Sequence, residues 1–236
     1  MDVKTAFLYP EIKEEVYIKK PEGYKLLYPK DQNAEGIARL IKTLYGLRQS
    51  PRMWFKVLDR LFRSKDFLRS NEDSGLYVSG DLIILIFVDD IVLFSKKKEA
   101  ICEAKGWLSE AFKMVDLGSL KLFLGMQIER NRGERTMFVG QERYAAKVLK
   151  QSNMESCHGC KTPIDTKLVL TKPDKDEISG ALEYQSLVGS LMYAMLGTRP
   201  DLAYAVSTLS KLNSEPAEEH HAAAKKTLRY LKETKD

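Results

Sequence analysis

Two adjacent aspartates, Asp89 and Asp90, have the setting in this sequence that most strongly indicates chemistry. They interrupt a dense run of apolar residues, with residues 82–88 before them and residues 91–94 after them. Runs this rich in β-branched residues are typical of buried strands, so the aspartates are predicted to lie at the tip of a hairpin. Desolvated carboxylates repel each other, and a divalent cation such as Mg²⁺, which prefers carboxylate oxygens, removes that cost. The alternative is an ordinary polar turn, but a solvent-exposed turn rarely needs buried strands on both sides.

Two other segments carry residues that could complete such a site. Asp2 supplies a third carboxylate, and Phe7 follows it five residues later. Residues 44–51 form a glycine- and proline-marked loop that leads into a helix containing Trp54. Taken one at a time, these features also have plain explanations, because a terminal acid is often surface charge, an aromatic residue often packs in a core, and the loop is an ordinary junction.

The elements that must position these residues follow from hydrophobic periodicity. Period-two or fully apolar segments predict strands at 16–18, 24–28, 76–78, 82–88 and 91–94, and a hairpin over 121–139. Helical spacing predicts helices at 52–65, 99–113, 141–153, 181–196, 200–213 and 217–232. A strand-rich part followed by a helical part predicts an α+β fold, and residues 162–178 are the best candidate for a linker.

The composition is that of a soluble intracellular protein that could bind a polyanion. The 236 residues are 44% hydrophobic and carry a net charge of +5, and no apolar run is long enough to cross a membrane. The cytoplasm and the nucleus are not distinguished by this composition. The basic excess, 38 residues against 33 acidic ones, permits nucleic-acid binding without establishing it. Cys157 and Cys160 resemble half of a zinc site, but no second Cys/His pair follows at the required spacing.

The three segments, in this order, resemble the successive motifs of a reverse transcriptase palm, specifically that of copia-type LTR retrotransposons. Several further segments match the same family in the right order, so the resemblance covers nearly the whole chain. The matching segments are residues 2–8, 14–17, 20–23, 44–54, 87–90, 116–118, 124–126, 189–193, 198–201 and 229–232.

The resemblance implies an RNA-directed DNA polymerase that uses two Mg²⁺ ions, with Mn²⁺ as an alternative. The partners that it implies are an RNA or DNA template with its primer and deoxynucleoside triphosphates, and it implies no particular oligomeric state. The catalytic and metal-binding residues would be Asp2, Asp89 and Asp90. The nucleotide-binding residues would be Val3, Phe7, Tyr45, Gly46, Gln49 and Ser50, with Phe7 as the steric gate. The primer grip would be Leu124, Gly125 and Met126, where the glycine would allow the backbone to approach the primer closely.

The resemblance also implies a division of the chain into a partial palm at 1–118, a primer grip and thumb region at 119–165 and a helical connection at 166–236. The family's fingers, the strand that leads into Asp2 and the RNase H domain would be absent. We therefore expect an exposed apolar sheet edge beside the aspartate hairpin, and poor polymerisation by the isolated chain.

Two other hypotheses stay open at this stage. The chain could be a catalytically dead retrotransposon remnant, or one co-opted to bind nucleic acid or another partner. A structural module of a different class would require the aspartates to be accidental. On the last helix, Lys225, Arg229 and Lys232 share one face, which could contact phosphates, although a solvated helix face is the simpler interpretation.

Overall fold

The apolar segments of the chain collect into two separate cores in the computed structural model, which describes residues 1–30 and 36–235. The chain divides into two compact units, Met1–Ser119 and Leu120–Asp236. Each core draws its residues from one unit only. The first surrounds Trp54 and Phe62, and the second surrounds Tyr184 and Leu228.

The first unit is built on a six-stranded antiparallel sheet with the strand order β4-β5-β6-β7-β1-β8. A separate two-stranded ribbon pairs β2 with β3. The strands are β1 (Asp2–Val3), β2 (Tyr17–Lys19), β3 (Ile37–Arg39), β4 (Leu68–Arg69), β5 (Leu76–Ser79), β6 (Leu82–Phe87), β7 (Asp90–Phe94) and β8 (Met114–Val115). The helices are a short 3₁₀ turn (Ala6–Leu8), α1 (Tyr24–Leu27), α2 (Ser50–Arg63) and α3 (Lys98–Ala111).

Helix α2 packs on the sheet because its apolar residues recur every four positions. Trp54, Leu58 and Phe62 are all buried, and they share a core with Tyr77 and Ile84 of the sheet. The Tyr77 hydroxyl donates to Asp59 of the same helix at 2.8 Å. Burial and this hydrogen bond raise the pKa of Tyr77, so the phenol stays a neutral donor at ordinary pH. The helix is thus tied to the sheet by both packing and a polar contact.

The second unit combines a small antiparallel sheet, of order β11-β10-β9, with a helical core. Its strands are β9 (Leu122–Phe123), β10 (Met126–Asn131) and β11 (Thr136–Gly140). Its helices are α4 (Glu142–Gln151), α5 (Ala181–Gly197), α6 (Ala203–Ser210) and α7 (Glu218–Glu233), with 3₁₀ turns at Lys175–Glu177 and Pro200–Leu202. Apolar faces of all four helices meet in one core.

The strongly periodic elements are confirmed close to their predicted bounds. Helices α2 to α7 and the aspartate hairpin all appear where the periodicity predicted them. The strand predicted at residues 24–28 was wrong, because residues 24–27 form the short helix α1. Gly23 precedes it with a φ of 78°, and the apolar residues of so short a segment carry no period that separates a strand from a helix.

Two expectations about exposed or unstructured segments also need correction. The expected open edge is partly covered, since β1 pairs with β7 at Asp90 and with β8 on its other side. Residues 162–178 lie within the second unit, where Ile164 is 5% exposed and belongs to the core. Within the part of the chain that the structure describes, no helix is long and apolar enough to span a membrane.

Candidate active site

The two-residue strand β1 brings Asp2 to the aspartate hairpin. Asp2 pairs directly opposite Asp90 of β7, and the backbone N–H of Val3 donates to the carbonyl of Asp89 at 2.9 Å. The N-terminal ammonium of Met1 donates to the carbonyl of Ile91 at 2.7 Å, and burial lowers its pKa. Backbone pairing, rather than any side-chain contact, therefore places the first predicted motif beside the third.

The hairpin tip is a tight turn of two residues, Val88 and Asp89, because Phe87 pairs with Asp90. Val88 has a φ of 56°, which is a strained conformation for a β-branched residue. The indole Nε1–H of Trp54 donates to the Val88 carbonyl at 2.7 Å. Trp54 was predicted as an apolar position of a helix and as part of a matching segment, but without this hydrogen bond, since sequence carries no sign of which carbonyl an indole will meet. The structure gives it a second role, holding the turn that carries the acids.

The carboxylates at this position influence one another electrostatically. Burial raises the pKa of Asp90, and the charges of Asp89 and Asp2 raise it further. The Lys4 ammonium lies 2.8 Å from the Asp2 carboxylate, and this hydrogen bond raises the pKa of Lys4. Lys4 was not among the predicted site residues, and it lies in the turn that directly follows β1.

The three aspartates do not form a ready-made metal cage. Across residues 1–30 and 36–235 there is no group of three or more His, Cys, Asp or Glu side chains arranged to hold a metal ion. The donor chemistry nevertheless fits Mg²⁺ or Mn²⁺, because the charges of Asp89 and Asp2 disfavour ionisation of Asp90, and a hard divalent cation relieves that repulsion. The Lys4 ammonium likewise places one positive charge beside the Asp2 carboxylate.

Phe7 and Tyr45 meet, which joins the first predicted motif to the second. Their ring centroids are 4.9 Å apart at an interplanar angle of 56°. The Thr43 hydroxyl donates to the Phe7 carbonyl, and this contact fixes the 3₁₀ turn against the loop. Tyr45 is 56% exposed, and Gly46 follows it with a φ of 93°. Tyr45 therefore presents an accessible ring surface beside the partly buried Phe7.

Two of the predicted nucleotide-binding side chains are not accessible. Val3 is 2% exposed and packs in the first core, so only its backbone takes part in the aspartate hairpin. Ser50 is fully buried, and its hydroxyl donates to the Leu44 carbonyl at 2.5 Å. Ser50 is the first residue of helix α2, and its hydroxyl ties the loop to the helix instead of facing a nucleotide. Gln49, just before the helix, remains partly exposed.

The residues predicted to form the primer grip lie in the second unit. Leu124 and Gly125 are the two-residue turn between β9 and β10, and Met126 is the first residue of β10. A Cβ added at Gly125 would overlap the hydroxyl oxygen of Tyr193. A glycine is therefore needed here for a contact inside the protein, independently of any approach by a primer.

The basic residues of α7 are engaged inside the second unit. Arg229 Nε donates to the His158 carbonyl at 2.7 Å, and Lys232 Nζ donates to the Cys157 carbonyl at 2.6 Å. The simpler interpretation of a merely solvated face is thus wrong for these two residues. Together with the Cys160 thiol, which donates to the Lys226 carbonyl, these contacts hold the loop of residues 157–160 against the helix.

Most of the chain matches a known protein family. Residues 1–166 match the family described as reverse transcriptase (RNA-dependent DNA polymerase). This chain belongs to the reverse transcriptase family, in the branch found in copia- and Ty1-type retrotransposons.

The chain is similar to transposon proteins of plants and yeast. It is 39% identical to the Pol polyprotein of transposon TNT 1-94 from Nicotiana tabacum, over 99% of this chain and 18% of that protein. It is 35% identical to the Pol polyprotein of transposon RE2 from Arabidopsis thaliana, over 100% of this chain and 16% of that protein. A Ty5-1 transposon protein of Saccharomyces cerevisiae is 30% identical, with 76% of its length covered. The chain thus spans less than a fifth of the two plant polyproteins. No solved structure matches it.

Proposed function

We propose that this chain carries the polymerase centre of a reverse transcriptase, which adds deoxynucleotides to a primer 3′ end on an RNA or DNA template. Asp2, Asp89 and Asp90 would hold two Mg²⁺ or Mn²⁺ ions. The observation that carries the proposal is the pairing of β1 with β7, which sets Asp2 opposite Asp90 although the two are far apart in sequence. The membership of the chain in the family supports the same reaction.

The two ions, when bound, would activate the primer hydroxyl and stabilise the pyrophosphate leaving group. The residues of the chain itself provide position. Trp54 holds the Val88 carbonyl at the tip of the hairpin, and Val3 holds the backbone of Asp89. Such fixed placement matters because a misplacement of about 1 Å can reduce the rate on the order of a hundredfold.

The surface formed by Phe7, Tyr45, Gly46 and Gln49 is the proposed nucleotide-binding surface. Phe7 would lie under the incoming sugar and exclude a 2′-hydroxyl, and the ring of Tyr45 supports it at 4.9 Å. Val3 and Ser50 would act through the backbone and the loop, since both side chains are buried.

The subdomain names are part of this proposal. Residues 1–118 would form the palm, residues 119–165 the primer grip and thumb, and residues 166–236 the helical connection. The central antiparallel sheet with helices packed on it supports the first of these names.

Metal binding tests the proposal on the chain by itself. We expect Mn²⁺ titration, followed by electron paramagnetic resonance, to show binding to the wild-type chain that is lost when Asp89→Asn and Asp90→Asn are combined. Asp81→Asn is the matched control, because Asp81 is also a turn aspartate, at the β5–β6 hairpin, where its carboxylate forms a 3.6 Å ion pair with Lys97. Equal Mn²⁺ binding by all three proteins would refute the assignment of the metal ligands.

Template-directed synthesis tests the reaction. The assay places the chain within a Pol polyprotein, because the chain covers 18% of its tobacco relative. We expect labelled deoxynucleotide to be incorporated on an RNA template with Mg²⁺, and the Asp89→Asn, Asp90→Asn double variant to lose about 100-fold or more. Equal synthesis by both would refute the catalytic assignment. Duplex binding without any metal-dependent synthesis would instead favour a co-opted nucleic-acid-binding role.

A further inference from the structure

The turn between β9 and β10 has an unusual residue in a demanding conformation. Phe123 pairs with Met126, so Leu124 and Gly125 form the whole turn. Their φ values are 48° and 78°, and a hairpin turn with two positive φ values strongly favours the pair Asn-Gly. Glycine meets this demand. Leucine does not, because its Cβ crowds the backbone in the left-handed region.

Tyr193 of α5 contacts both residues of this turn. Its hydroxyl donates to the Leu124 carbonyl at 2.5 Å. The same oxygen lies too close to residue 125 to leave room for a Cβ there. The tip of one side chain therefore binds the strained residue and closes the space beside the glycine.

The position of Tyr193 is set by the helices and not by the turn. Its ring packs on Tyr144 of α4, with centroids 4.5 Å apart. The Tyr144 hydroxyl donates to the Ser190 carbonyl of α5 at 3.1 Å, and burial raises the pKa of Tyr144. Both helices contribute to the core of the second unit. The packing of α4 and α5 therefore places the Tyr193 hydroxyl independently of the turn.

We propose that Tyr193 is a positioning residue that holds Leu124 in its left-handed conformation and thereby fixes how residues 124–126 are presented. The Tyr193 hydroxyl donates a hydrogen bond to the Leu124 carbonyl. In a relaxed, extended conformation, Leu124 would point this carbonyl in another direction. The consequence for a primer rests on the proposed function, in which residues 124–126 contact the primer. The clamp itself rests only on the contacts within the second unit.

Amide hydrogen exchange tests the clamp. Tyr193→Phe keeps the ring on Tyr144 and removes only the donor. We expect exchange at Met126 and Ile128, whose backbone amides face the β9 side of β10, to become about fivefold faster, the factor that corresponds to one hydrogen bond of ordinary net strength. Tyr204→Phe, which removes a hydroxyl from a tyrosine of α6 that is 57% exposed, is the control and leaves these rates unchanged. Unchanged rates in Tyr193→Phe, or equal acceleration throughout the second core, would overturn the clamp.

A rescue experiment separates strain in the turn from loss of packing. Leu124→Asn, made in the Tyr193→Phe background, creates the Asn-Gly pair that adopts this turn without help. We expect slow exchange at Met126 and Ile128 to return in the double variant. If the rates stay fast, strain at Leu124 is not what Tyr193 controls, and the proposal fails.

Affinity for a primer–template duplex tests the functional consequence. Tyr193→Phe is expected to bind the duplex about fivefold more weakly, and Tyr204→Phe to bind it as the wild type does. Faster exchange with unchanged affinity would overturn the positioning of a primer. If the wild-type chain binds no duplex, the proposed function fails, whereas the exchange rates still decide whether Tyr193 holds the turn.

Discussion

At the scale of single residues, two hairpin turns are held by the same kind of contact. Val88 and Leu124 both have positive φ values, and each has its carbonyl bound by an aromatic side chain, Trp54 in one case and Tyr193 in the other. The left-handed conformation costs about 1–2 kcal/mol for such residues. A hydrogen bond contributes about 1 kcal/mol net. The two magnitudes are similar, so the aromatic donor decides whether the turn keeps its conformation.

The first prediction concerns Trp54. Trp54→Phe removes the indole donor and leaves the Val88 carbonyl without it, so we expect the free energy of unfolding to fall by about 1–3 kcal/mol. Urea denaturation followed by far-UV circular dichroism measures this change. The control is Trp107→Phe, which removes a similar ring volume from a partly buried site 5.8 Å from the ring of Phe62. Equal losses in the two variants would mean that the hydrogen bond to Val88 adds nothing.

The second prediction concerns pH and Asp201. Two hydrogen bonds from Arg199 lower the pKa of Asp201 below its ordinary value. A carboxyl whose pKa is lowered by folding adds stability above its unfolded pKa, and this stability is lost as the pH falls through the folded pKa. Asp201 is 38% exposed, so solvent screening limits the contribution to about 1 kcal/mol or less.

Asp201→Asn is therefore expected to be less stable than the wild type at pH 7, and the difference is expected to shrink below a pH of about 4. Urea denaturation at several pH values measures it. A difference that persists unchanged at low pH would show that the ion pair with Arg199 is not its cause.

At the scale of elements, helix α5 shows how one helix can contain glycines with opposite roles. A Cβ on Gly197 would overlap the side-chain amide of Gln141, a residue that is 6% exposed. A Cβ on Gly189 would meet nothing within 4 Å. Gly197 thus leaves room for the buried Gln141 amide at the start of α4, whereas Gly189 only weakens its own helix.

The third prediction uses this pair of glycines. Gly197→Ala is expected to destabilise the second unit by about 1–3 kcal/mol, because the buried amide of Gln141 must move. Gly189→Ala is expected to stabilise it by about 0.5–1 kcal/mol through helix propensity alone. Thermal denaturation of both variants tests the sign of each change. Two changes of the same sign would contradict the packing argument.

At the scale of the whole molecule, each of the two units has its own hydrophobic core. Both tryptophans of the sequence, Trp54 and Trp107, belong to the first unit, so intrinsic tryptophan fluorescence reports on that unit. Leu58 is 1% exposed in the first core, and Leu209 is fully buried in the second.

The fourth prediction follows from this division. Leu58→Ala is expected to lower the stability seen by tryptophan fluorescence by about 2–5 kcal/mol. Leu209→Ala is expected to produce a loss of similar size in the helical signal of circular dichroism, while the fluorescence transition stays near its wild-type position. A fluorescence transition displaced equally by both substitutions would show that the cores unfold as one.

The sequence by itself determined the features that depend on local order. Apolar runs around Asp89 and Asp90 predicted the hairpin, and helical spacing predicted α2 with Trp54 on its buried face. The motifs also identified the family, because their succession along the chain is a property of the sequence alone. Long periodic segments succeed in this way because the residue pattern and the element repeat over the same few positions.

Only the tertiary structure decided which distant groups meet. It placed Asp2 opposite Asp90, buried the Val3 and Ser50 side chains, and brought Tyr193 to the Leu124 carbonyl. Each of these outcomes depends on strand register or on the packing of elements far apart in sequence, for which no local pattern exists. A side chain's partner is set by the fold that surrounds it, and for that reason the acids could be named from the sequence but the residues that hold their turn could not.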